Sequence, residues 1–75
     1  MKPDQELVDR IIRMANLVEE HADAYGPLST GERIAVALVL NRPELLKKDA
    51  WTMLAAVDRL GPEWTAAALT AQRTR

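Results

Sequence analysis

Ser29-Thr30-Gly31-Glu32-Arg33-Ile34-Ala35-Val36-Ala37-Leu38-Val39-Leu40 is the stretch on which the fold turns. Its second half, Ile34 to Leu40, is apolar without a break, and two readings compete for it. Val and Ile favour strands, and a short apolar run suits a buried strand. The residues ahead of it decide for a helix. Ser29 with Glu32 three positions later makes a capping box, in which the hydroxyl accepts from one free backbone N–H and the carboxylate from another. The rest of the chain offers no second strand to pair with. A helix from Thr30 to Asn41 is therefore predicted. Because its centre is apolar on every side, it must be covered on every side, which makes it the hub of the fold.

Upstream, Leu7, Ile11, Ala15, Val18, Ala22 and Tyr25 recur at steps of three and four, with Val8, Ile12 and Met14 widening the stripe. That spacing predicts a helix from Asp4, its N-cap, to Tyr25. Gly26-Pro27 ends it, through a left-handed glycine and a residue that cannot continue the helix. Downstream, Asn41-Arg42-Pro43 breaks the hub helix, and Pro43 opens a short helix to about Lys47. Asp49 reads as the next N-cap, ahead of a helix with Trp51, Leu54, Val57 and Leu60 on one face. Gly61-Pro62 stops that helix. A last one carries Trp64, Ala67, Ala68 and Ala71 to about Gln72, and the tail Arg73-Thr74-Arg75 is expected to fray.

The expected fold is all-α: a small orthogonal or antiparallel bundle of four main helices plus one short helix around the central apolar second helix. The chain reads as a single helical domain over 1–75, with helices at about 4–25, 30–41, 43–47, 50–60 and 63–72. A chain of this size buries only ~60% of its unfolded surface, so it needs efficient packing, a staple or a second subunit. With no cysteine, disulfides and thiolate zinc sites are excluded.

Net charge is −1, with both signs interspersed, so the chain exerts no long-range attraction on nucleic acid or anionic lipid. Met1-Lys2-Pro3-Asp4 has no leader pattern. The longest apolar run falls far short of the ~20 residues of a membrane span. With the lack of cysteine, these features give a cytoplasmic expectation. Arg outnumbers Lys and Ala is abundant, a usage common in high-GC bacteria. The stretch Leu28 to Arg42 resembles small proteins of bacteria and their phages or plasmids. That resemblance assigns no residue a role and carries no function over; chains this short from such sources often act as accessory proteins that bind a larger one, which is the expectation here.

Catalytic chemistry has little to build on. His21 is the only histidine, and Leu17, Val18, Ala24 and Tyr25, its neighbours at helical spacing, are not usual metal ligands. Ser29 is the only serine, and capping accounts for it. Glu19, Glu20 and Asp23 form an acidic cluster that resembles half of the pattern with which all-helical nucleotide pyrophosphatases hold Mg²⁺. The facing half is missing, because Glu32 is followed only by apolar residues after Arg33, and a hard cation wants oxygens from several directions. The cluster reads as a solvated face. Gly26, Gly31 and Gly61 are isolated, so no phosphate-cradling loop forms. The expectation is a protein without catalytic activity, cofactor or metal.

The apolar surplus points to protein binding. Leu17, Leu45, Leu46, Met53 and Leu69 fall off the main stripes, so some of them are expected to be exposed, and a contiguous exposed patch marks an interface. Trp51 and Trp64 are candidate anchors, since tryptophan is enriched at binding hot spots, although large apolar residues at helical spacing are also core. The candidate contact set is Trp51, Met53, Trp64 and Leu69, rimmed by Arg42, Lys47 and Lys48. The partner is a protein or the chain itself, as a homodimer. The alternative is a DNA-binding helix-turn-helix that contacts phosphates through Arg42, Lys47 and Lys48. The negative net charge opposes it, and so does a supposed recognition helix with two leucines where base-reading groups belong.

Overall fold

In the computed structural model the hub helix α2 spans Thr30–Val39. The model describes residues 4–75, so Met1-Lys2-Pro3, part of the segment read for a leader, lies outside the described residues. The capping box is complete. Glu32 N–H donates to Ser29 Oγ at 3.3 Å, and Ser29 N–H donates to Glu32 Oε1 at 2.9 Å. Ile34, Ala35, Val36, Ala37 and Val39 are buried, while Leu38 and Leu40 are partly covered. The helix stops before Asn41, which adopts a left-handed φ of 54°. Asn41 N–H then reaches Leu38 O (3.1 Å) and Arg42 N–H reaches Ala37 O (3.0 Å). This double turn satisfies the last free carbonyls, and asparagine tolerates it better than most residues.

Three further helices enclose α2: α1 over Gln5–Glu20, α3 over Pro43–Lys48 and α4 over Met53–Thr74. The chain is thus an all-helical bundle, and α2 packs against all three neighbours. Its radius of gyration, 11.2 Å, matches the ~11 Å of a well-packed chain of this length. No helix among the described residues is long and apolar enough to cross a membrane.

Four boundaries differ from the sequence expectation, each for a local reason. The first helix, expected to reach Tyr25, ends at Glu20, where His21 is extended (φ −135°, ψ 95°). A 3₁₀ turn, Ala22–Tyr25, follows and swings Tyr25 inward. Gly26 is right-handed, so it is not the left-handed stop expected of it. Asp4 does cap α1, accepting from Glu6 N–H at 2.9 Å. Val8 rather than Leu7 is fully buried, and Ala22 is exposed.

Asp49 does not start the fourth helix. It closes α3, and Ala50 takes a left-handed φ of 62°. Trp51 N–H folds back to Leu46 O at 3.0 Å, and Thr52 becomes the N-cap, accepting from Ala55 N–H at 3.2 Å. The helices expected at 50–60 and 63–72 are present as the two halves of α4, on either side of the expected break, where Gly61 is non-helical with φ 84° and ψ 165°. Only glycine adopts that conformation readily. The tail is not frayed: Arg75 donates from Nε to Asn16 Oδ1 at 3.0 Å and from Nη2 to Glu19 Oε1 at 2.5 Å, fastening α4 to α1.

The core joins Val8, Ile11 and Ala15 of α1, Ile34 and Ala37 of α2, and Leu46 of α3 to Ala56, Leu60, Ala67, Ala68 and Ala71 of α4. The alanines let the α4 backbone approach its neighbours closely. Gln72 then reaches across from α4 and donates to Leu38 O (3.0 Å) at the end of α2.

Candidate interaction surface

The inward choice of α4 leaves its other apolar stripe outside. Leu54 is 84% exposed, Met53 52%, Leu69 47% and Val57 37%. Leu54 and Val57, expected on the buried face with Trp51 and Leu60, therefore point to solvent, while Ala56 and Leu60 point inward. With Thr52 as N-cap, Trp51 lies ahead of the first turn, so the stripe that it anchored in the sequence is not a single helix face. Around the kink, Val57, Asp58, Gly61, Pro62, Ala66 and Leu69 line a shallow groove of about 420 Å³. Both halves of α4 thus contribute to one face.

The two tryptophans lie on the core side of the structure. Trp51 and Trp64 are half-buried and pack against the main core. Arg10 stands 5.8 Å from the Trp64 ring centre and pairs with Glu32, tying α1 to the start of α2. Of the five off-stripe residues, Leu46 is 2% exposed and Leu45 is half-buried, because α3 turns both leucines toward α2 and the core. Leu17 is exposed on α1.

The expected basic rim divides. Arg42 and Lys48 line a cleft of about 360 Å³ with Tyr25, Arg33 and Asp49, whereas Lys47 is exposed on α3 outside that lining. The cleft is organised as a strut. The Arg33 guanidinium lies 5.7 Å from the Tyr25 ring centre, is 3.5 Å from Asp49 and donates to Gly26 O. The Tyr25 hydroxyl points at Leu45 O (3.3 Å) and Asp49 Oδ2 (3.4 Å). Burial, reinforced by the Asp49 carboxylate, pushes the Tyr25 phenol up to about 12, so it keeps its proton across the neutral range. These contacts pin the 3₁₀ turn to α2 and α3.

The other groups considered for chemistry are placed as follows. His21 is exposed where α1 ends. The Ser29 hydroxyl is engaged in the capping box, and Ser29 N–H and hydroxyl, helped by Arg10, hold the Glu32 carboxyl below its ordinary value. Glu19 pairs with Arg75, while Glu20 and Asp23 are exposed. Among the described residues no three His, Asp or Glu side chains gather as metal ligands would. No family model matches the chain, and no curated protein or solved structure matches it either.

Proposed function

We propose that this protein is a protein–protein interaction module that acts by contact rather than by catalysis, and that it self-associates through the outer face of α4. The observation that carries this reading is the exposure of Leu54, Val57 and Leu69 along one helix, around the Gly61-Pro62 kink. Monomeric proteins seldom leave large apolar side chains together on one face, and such faces mark interaction sites. Size supports the same reading. A 75-residue chain without cysteine has a thin stability margin, and a second subunit is one of the few ways to add burial.

Sedimentation velocity tests the proposal. The wild type is expected to shift from monomer toward dimer as its concentration rises through the micromolar range. Leu54→Glu is expected to remain monomeric with unchanged helicity, because residue 54 makes little contact with its own core. A wild type that stays monomeric at every concentration overturns self-association. Equal association of wild type and Leu54→Glu moves it away from this face.

A further inference from the structure

The exposed face of α4 carries the same residue spacing in both directions, so it can pair with itself. Its residues are Leu54, Val57, Asp58 and Gly61 on one side of the kink and Pro62, Thr65, Ala66 and Leu69 on the other. The spacing read forward from Leu54 to Gly61 is the same as the spacing read backward from Leu69 to Pro62. Resting on the self-association reading above, we infer that the partner at this face is a second copy of the chain, with the two α4 helices antiparallel and the twofold axis passing between Gly61 and Pro62.

In that register each contact is complementary. Leu54 stands opposite the second copy's Leu69, and Val57 opposite its Ala66, so a larger side chain meets a smaller one. Gly61, which has no side chain and open space above it, stands opposite the second copy's Pro62 ring. Asp58 faces an uncharged Thr65. On the flank, exposed Arg59 comes alongside the second copy's Glu63, one residue out of direct register, and the symmetry repeats the pair. Neither residue is in an ion pair with its own chain among the described residues. A parallel pairing of the same face sets Asp58 against Asp58 and Arg59 against Arg59, and like charges brought together disfavour an association. Each half of the face, Leu54 to Gly61 and Pro62 to Leu69, runs ~10 Å at helical rise, with the kink at Gly61 between them. One helix face is small for a specific interface, so the dimer dissociates on dilution.

Disulfide trapping reads the register directly, because the chain has no native cysteine. Leu54→Cys and Leu69→Cys place thiols at exposed positions where folding is not at stake. In the antiparallel dimer each cysteine lies at the opposite end of the face from its own copy in the partner, beyond the ~7 Å limit between bridged Cα atoms. Each variant alone therefore couples slowly under mild oxidation, at the rate of an exposed control such as Lys47→Cys. An equimolar mixture of the two couples ~100-fold faster at micromolar protein, since the thiols are held at millimolar effective concentration. If sedimentation gives a dimer but the mixture couples no faster than the single variants, the antiparallel register is overturned and self-association stands. If sedimentation gives only monomer and nothing couples above the control, both fail.

Discussion

Two apolar helices in this protein have opposite fates. The centre of α2, Ile34 to Val39, is enclosed by α1, α3 and α4, whereas Met53, Leu54, Val57 and Leu69 along α4 carry comparable side chains that face water. Hydrophobicity therefore does not by itself decide burial here. Placement in the bundle does: α2 has α1, α3 and α4 packed around it, while α4 turns its alanine stripe toward α1 and α2 and its leucine-bearing stripe away from them. The stripe of α4 that stays outside is one that a second molecule can cover.

Substitutions can sharpen or break this contrast. The largest effect is expected at Ile34, which is 1% exposed at the hub: Ile34→Ala should lower unfolding stability by about 2–5 kcal/mol. Leu54→Ala, measured at a concentration where the chain is monomeric, should change it by under about 0.5 kcal/mol. Urea denaturation of the two variants checks both, and equal losses would erase the distinction between the helices. Next is the kink that lets the two halves of α4 share one face. At Gly61 an added Cβ meets no neighbour within 4 Å, but φ is 84°, so the penalty of Gly61→Ala is conformational, about 1–3 kcal/mol. A neutral result in the same assay would mean that the helix relaxes without loss.

The smallest effect concerns the start of α2. The Glu32 carboxyl is held below its ordinary value chiefly by Ser29 N–H, and also by the Ser29 hydroxyl and Arg10. Its folded value is the lower one, so the stabilisation is fully present above the unfolded value near 4.5 and is lost as pH falls through the folded value. Glu32→Gln should therefore flatten the acid limb of stability against pH and leave α4 unaffected. An unchanged acid limb would remove the charge from the account of this cap.

Much of the fold was legible because its signals are local. The capping box, Asp4 as first cap, Pro43 at the head of α3 and the break at Gly61-Pro62 each act within a few residues, and each is present. The choice between Asp49 and Thr52 as a cap was not legible. Both are good N-caps, and only the return of Trp51 N–H to Leu46 O, through a left-handed Ala50, excludes the first. The candidate face was only partly legible for a separate reason: Met53 and Leu69 could be read as surplus, but Leu54 and Val57 recur with Leu60 at helical spacing and could not be separated from it.

The sequence by itself determined that this chain is helical, where α2 begins, and that Ile34 to Val39 form a segment requiring cover. These follow from hydrogen-bonding groups and side-chain periods within single turns. Only the tertiary structure decided which stripe of α4 turns inward. Ala56, Ala67, Ala68 and Ala71 allow a close approach of backbones that Leu54, Val57 and Leu69 would obstruct. Such a preference for small residues at a crossing exists only once the other helices are in place to be approached.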